Sequence, residues 1–128
     1  MRLLLDTHTL LWFLANDPRL SQTAKAAIED PANERWLSPI SLLEIAIKAR
    51  IGKLPLPEPF AVMFPAELLS ADIHLLPLEV DHIEPLTSLP LHHKDPFDRL
   101  IAAIAMVERL TLVSADTVFD AYGAPRIW

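Results

Sequence analysis

Four acidic residues stand where an acid could do chemistry: Asp6, Glu44, Asp98 and Asp116. Asp6 closes the run Leu3-Leu4-Leu5-Asp6, and Asp116 closes Leu112-Val113-Ser114-Ala115-Asp116. A short continuous apolar run reads as a strand covered on both faces. In an open parallel sheet, ligands bind beyond the carboxyl ends of the strands, so both acids belong on one edge. Glu44 and Asp98 lie inside helical patterns. At about 100° per residue, Glu44 shares a face with Ile40, Ile47 and Ile51, and Asp98 shares one with Ile101, Ala102 and Ala105. A solvent-facing acid would not be placed on an apolar stripe. Each lies in the first two turns of a helix whose N-terminus faces the edge where the strands end. All four acids therefore converge. Four carboxylates repel one another without a cation, and some would hold a proton abnormally tightly. An oxygen-rich donor set without cysteine suits Mg²⁺ or Mn²⁺. Such an ion activates a water and stabilises phosphodiester oxygens during in-line displacement.

Every one of these acids also has a plainer role as a helix cap. Asp6 or Thr7 can cap a helix after the first strand, and Asp116 precedes a helical turn. Ser41-x-x-Glu44 matches a capping box with Glu44 at N3, and Asp98 is an acid at N3 after Asp95. A cap is worth about 1 kcal/mol and needs no metal. For any one acid alone, capping is the stronger reading. Capping does not, however, ask for acids on inward stripes, as at Glu44 and Asp98. Asp95 is read as the N-cap of its helix, with Pro96 at the first helical position. His92 and His93 are read as an exposed loop, and His8 as helix surface. Lys48, four residues after Glu44, is expected to pair with it. Lys48, Arg50, Lys94 and Arg99 are the weaker candidates for contact with a phosphate chain.

The elements that must position these residues follow from the pattern. Strands are expected at 2–6, 36–37, 73–76, 110–114 and 126–128. Helices are expected at 9–15, 21–30, from 38 or 41 to 51, at 60–70 with a break at Pro65, at 81–86, at 96–109 and as a turn at 117–122. Strands alternating with helices imply an α/β sandwich with parallel pairing. The 128 residues make one domain, 1–128. Apolar residues are 52% of the chain, which excludes disorder for most of it. There is no cysteine, so zinc ribbons, thiol nucleophiles and disulfide scaffolds are excluded. Two glycines, Gly52 and Gly123, are too few for a glycine-rich phosphate loop. The net charge of −6 argues mildly against nucleic acid. No apolar run approaches the roughly 20 residues of a membrane span, and the N-terminal apolar stretch, broken by Asp6 and His8, makes a poor signal peptide. A cytoplasmic protein is expected.

Taken in order, Leu4-Leu5-Asp6-Thr7-His8, Ser38-Pro39-Ile40-Ser41-Leu42-Leu43-Glu44-Ile45, His93-Lys94-Asp95-Pro96-Phe97-Asp98-Arg99-Leu100-Ile101-Ala102 and Leu112-Val113-Ser114-Ala115-Asp116 resemble a PIN domain. More narrowly, the chain is similar to VapC-type toxins of bacterial type II toxin–antitoxin pairs, over essentially its whole length. The resemblance implies a three-layer sandwich with a five-stranded parallel sheet between helices. It implies Mg²⁺- or Mn²⁺-dependent endoribonuclease activity, a homodimer and a cognate antitoxin. The family's acidic set falls on Asp6, Glu44, Asp98 and Asp116, and its small hydroxyl positions on Thr7 and Ser114. RNA as substrate enters only through the resemblance, since the acids alone do not distinguish RNA from DNA. The several acids of a metal site also account for the negative charge.

Two other readings compete. A haloacid-dehalogenase-like phosphotransferase would want Asp-x-Asp-x-Thr after the first strand, where Asp6-Thr7-His8-Thr9 lacks the second acid. A receiver domain would want an acid ending its third strand, and Ile73–Leu78 contains none. The other reading is a non-catalytic interaction module whose acids are caps. A mean hydropathy of +0.28 leaves apolar surface for partners in either case. A partner is expected along a groove near Ile40–Ile51 and Phe60–Leu69.

Overall fold

The computed structural model describes all residues, 1–128. Five short parallel strands form one sheet: β1 (Arg2–Leu5), β2 (Glu34–Leu37), β3 (Ile73–Leu75), β4 (Thr111–Val113) and β5 (Arg126–Ile127), in the order β3-β2-β1-β4-β5. β1 is central. Leu4 pairs in register with Trp36 on one side and Leu112 on the other. The strand order reverses at β1, which is where a doubly wound sheet opens a crevice beyond its strand ends.

Alternation along the strands divides the interior into two cores. Leu3 and Leu5 of β1, with Val113 of β4, face a layer holding Leu10, Leu20, Ala24, Ile28, Met63, Phe64 and Leu68. Apart from Leu20, which lies in the turn before α2, these belong to α1 (Thr7–Leu14), α2 (Gln22–Glu29) and the region of α4 (Phe60–Met63) and α5 (Ala66–Ser70). Leu4 and Leu112 face the opposite layer, which is built by Leu100, Ile101, Ala102, Ile104 and Ala105 of α7 (Pro96–Glu108) and by Phe119 and Tyr122. The result is the expected three-layer sandwich. Completing the chain are α3 (Pro39–Arg50), the short α6 (Val80–Ile83), and 3₁₀ turns at Glu84–Thr87 and Thr117–Tyr122.

α3 departs from this layering, and the departure matters for the site. Its Ile45 joins the first core and its Ile40 the second. The helix therefore lies across the carboxyl edge of the sheet and touches both α1 and α7. Ser38 caps it, with Pro39 at N1. Glu44 is then well past N3, which removes the capping-box reading of Ser41 and Glu44. The inward stripe also needs correction. Ile40, Ser41, Glu44 and Ile45 are buried, whereas Ile47 and Ile51 are exposed. Only the first half of α3 is covered by the sheet edge, so the stripe runs out into solvent after Ile45. Gly52, with φ of +75°, turns the chain away just beyond the helix.

Candidate active site

Asp98 and Asp116 come together beyond the carboxyl ends of the strands, with Asp6 and Glu44 near enough for their charges to act on Asp98. Asp6 follows β1 and caps α1, its Oδ1 accepting the Thr9 N–H at 2.8 Å. Asp116 follows β4 and caps the last 3₁₀ turn, its Oδ1 accepting the Val118 N–H at 2.9 Å. In each case one carboxylate oxygen makes the cap and the other remains for the site. Capping and membership of an acidic cluster, treated as rivals in the sequence, are compatible because a carboxylate has two oxygens. Asp95 caps α7 as expected, accepting the Phe97 N–H at 2.9 Å.

Glu44 is 4% exposed and has both oxygens engaged. Thr7 Oγ donates to its Oε1 at 2.7 Å, and Lys48 Nζ donates to Oε2. The expected Lys48–Glu44 pair is present, and it holds the Lys48 ammonium more firmly protonated. Thr7 stands one residue after Asp6, so this hydrogen bond ties the β1 end to α3. Thr7→Val keeps the volume but leaves Oε1 without its donor. It is expected to cost about 1–3 kcal/mol in urea unfolding, the penalty for orphaning a buried acceptor. Ser114 is fully buried, and its Oγ accepts the Asp116 N–H at 3.0 Å, which fixes the turn presenting Asp116.

Asp98, on the first turn of α7, is the centre of the electrostatics. Burial is the largest cause raising its pKa from 3.8 to about 6; the negative charge of Asp95 adds to this, His93 opposes it, and Glu44 and Asp6 add further. The carboxyl therefore senses three other acids and holds its proton unusually tightly, the condition expected where carboxylates crowd with too little positive charge.

His93 was expected in an exposed loop and is instead part of the cluster. Its Nε2 lies 3.0 Å from Asp98 Oδ2 and 2.9 Å from Asp116 Oδ2. Its Nδ1 accepts the Asp95 N–H at 3.2 Å, and its own backbone N–H donates to Tyr122 Oη at 2.8 Å. Ligand atoms of His93, Asp98 and Asp116 lie within 4.8 Å of one another. The available signal was the spacing His93-x-Asp95, in which a residue two before a helix cap folds back over the helix N-terminus. His92 stays exposed, as does His8 on α1, whose ring lies 5.7 Å from that of Trp12.

The basic candidates divide. Lys48 is committed to Glu44, and Lys94 is exposed beside His93. Arg99 is half-buried, with its Nε unpartnered. Arg50 is not brought to the acids. Six residues beyond Glu44, it is turned about 120° away around the helix and lines a shallow groove with Ala46, Ala49 and the proline-rich loop at 54–59.

Residues 3–125 match the PIN domain family. The chain belongs to the PIN-domain family. Among its curated relatives, ribonuclease VapC22 of Mycobacterium tuberculosis is 32% identical over 124 residues, covering 96% of this PIN domain and 93% of the relative. Ribonuclease VapC16 of the same organism is 42% identical over 69 residues, about half of each chain. Among solved structures, VapBC2 from Rickettsia felis bound to a promoter DNA fragment superposes with a TM-score of 0.72 at 17% identity, covering 100% of this chain and 98% of that one. DNA-bound VapBC from Salmonella typhimurium gives 0.68 at 20% identity, with coverage of 100% and 97%. These structures share the fold of this PIN domain, five-stranded sheet included.

Proposed function

We propose that this PIN domain is a divalent-metal-dependent endoribonuclease and the toxin half of a toxin–antitoxin pair. The observation that carries the reading is the cluster at Asp98, a half-buried acid whose ligand atom lies within 4.8 Å of those of Asp116 and His93 and which feels the charges of Asp6, Glu44 and Asp95. Relatives named ribonucleases VapC22 and VapC16 supply the substrate class.

The donor set fits Mg²⁺ or Mn²⁺. Its ligand-spaced oxygens are those of Asp98 and Asp116, which share their cluster with the His93 imidazole and have Asp6 and Glu44 near them, and there is no thiolate to favour a softer metal. Asp6, Glu44, Asp98 and Asp116 are the residues assigned to metal binding and catalysis. When bound there, the ion supplies Lewis acidity toward the phosphodiester and a more acidic water. The chain's own contribution is positional. Thr7 and Lys48 fix the Glu44 carboxylate, Ser114 fixes the turn carrying Asp116, and the α1 cap fixes Asp6. Lys94, exposed at the rim, and Arg99 are the cations left for an RNA backbone; Lys48 acts through Glu44, and Arg50 serves another face.

The partners are read from apolar surface. Leu43 and Ile47 on α3 and Ile51 just after it, with Val62 and Leu69 on α4 and α5, are exposed. A groove of about 490 Å³ between α1, the proline loop and α5 is lined by Leu11, Trp12, Leu56 and Met63. Contiguous exposed apolar surface marks interfaces. We assign these faces to a homodimer and to an antitoxin; the VapBC complexes among the structural neighbours support the antitoxin. A cytoplasmic location fits this reading, and no helix is long and apolar enough to cross a membrane.

The test is cleavage of total cellular RNA by purified protein, with the new ends mapped. Cleavage is expected with Mg²⁺ or Mn²⁺ and not in EDTA, with single-stranded DNA as the contrasting substrate. Metal-independent cleavage, or none under any condition, would remove the reading. Asp95→Asn provides an internal control. Asn caps nearly as well as Asp, so the variant should keep most of its activity and lose at most about 1 kcal/mol of stability. Loss of activity on the scale seen for the acids of the cluster would move Asp95 from the cap into the site.

A further inference from the structure

His93 has a role that its place among the acids defines. The ring is held at both nitrogens. Nδ1 accepts the Asp95 N–H at 3.2 Å, so it carries no proton. The proton is therefore on Nε2, which is hydrogen-bonded to Asp116 Oδ2 at 2.9 Å and lies 3.0 Å from Asp98 Oδ2. That N–H thus engages the carboxylate that follows β4, and its partial positive charge also sits beside the Asp98 carboxylate of α7. The backbone is anchored separately, through the Tyr122 hydroxyl at 2.8 Å, so the side chain can move without the loop.

A metal ion ligated by Asp98 and Asp116 needs the same lone pairs, at about 2.1 Å from each oxygen. For Nε2 to join as a ligand it must first lose its proton. The neutral tautomer would then carry hydrogen on Nδ1, pointed at the hydrogen of the Asp95 N–H. The contact that holds the ring in place therefore opposes its use as a ligand. We infer that His93 is a positioning residue that competes with the metal: its N–H holds Asp116 beside Asp98 in the metal-free protein and swings out when the ion binds. The inference rests on the metal reading above and adds a residue that sets how tightly the ion is held.

The experiment uses EDTA-stripped full-length protein, with Mn²⁺ binding followed by titration calorimetry in wild type, His93→Ala and His93→Gln. With the competitor removed, His93→Ala should bind Mn²⁺ about tenfold more tightly, the equivalent of one charge-assisted hydrogen bond. It should also melt lower than wild type in EDTA, because Asp116 loses its donor and Asp98 loses the positive edge of the ring beside it. Gln restores an N–H donor near the position of Nε2, so His93→Gln should move both quantities back toward wild type. A further readout needs no variant. The ¹⁵N signals of the His93 ring should report protonated Nε2 and bare Nδ1 in EDTA, and should lose that pattern on saturation with Mg²⁺. Weaker or unchanged Mn²⁺ binding by His93→Ala would overturn the competitor role, as would ring signals that Mg²⁺ leaves unmoved. Absence of Mn²⁺ binding in wild type and both variants would be a separate result, overturning the metal reading together with everything built on it.

Discussion

Asp98→Asn is expected to reduce RNA cleavage by about 100- to 1000-fold or more, the scale that follows loss of a group stabilising charge in a transition state. The same substitution should make the metal-free protein more stable at neutral pH. Unfolded, an aspartate releases its proton near pH 3.8, whereas folded Asp98 does so near pH 6. The folded chain therefore holds the proton more tightly. The stabilisation this gives is complete below about pH 4 and is lost as pH rises through 6. Above that, an ionised Asp98 is buried among Asp95, Glu44 and Asp6, and Asn at this position escapes the cost. A shift of this size corresponds to about 3 kcal/mol. The Asp98 side chain keeps 24% of its surface in solvent, and His93 Nε2 lies 3.0 Å from it, so about 1–2 kcal/mol is the expected gain. Urea unfolding in EDTA from pH 4 to pH 8 measures it. The variant should lead at pH 8 and lose its lead toward pH 4. A variant less stable than wild type at pH 8 would show that Asp98 is a structural acid.

Asp6→Asn separates the two roles of a single carboxyl. Its Oδ1 caps α1 through the Thr9 N–H. Asn retains that acceptor, so the cap survives. What is lost is a negative charge that contributes to the crowding felt by Asp98, together with an ionic oxygen for the metal. In EDTA the variant should melt at or above the wild-type temperature. Mg²⁺ or Mn²⁺ at one hundred times its Kd should stabilise wild type by about 2.7 kcal/mol and leave the variant unmoved. Cleavage should fall with the metal response. Asp6→Ala loses the cap as well and should be worse than Asn by about 1 kcal/mol in EDTA. A lower melting temperature for Asp6→Asn with its metal response intact would make Asp6 a cap and nothing more.

Strand ends and helix starts were legible because local rules govern them. Leu3-Leu4-Leu5 and Leu112-Val113 are short apolar runs closed by polar residues, and Asp95-Pro96 is a local start signal. Together they place Asp6, Asp116 and Asp98 on one edge, and the strand–helix alternation makes the sheet parallel. The Asp98 stripe held as read, with Ile101, Ala102 and Ala105 all buried. The Glu44 stripe held for Ile40 and failed at Ile47 and Ile51, because helical periodicity names a face without saying how far along the helix a neighbour covers it. Here the cover ends with the sheet edge, and Glu44 is buried through Thr7 and Lys48 as much as through apolar neighbours.

His93 shows the other limit. The His93-x-Asp95 spacing hints at a fold back over the helix start but does not name the acids it meets; these are Asp98, on the helix it precedes, and Asp116, 23 residues later on another element. The sequence by itself determined which residues are acids and on which edge of the sheet they fall, since strand length, capping and helical phase are set within a turn or two of each residue. Tertiary structure alone decided which oxygen caps and which faces the site, that α3 crosses the edge to bring Glu44 between Thr7 and Lys48, and that an imidazole stands between Asp98 and Asp116. Those are distances between elements remote in the chain, and they are settled by how two cores pack against the two faces of one sheet.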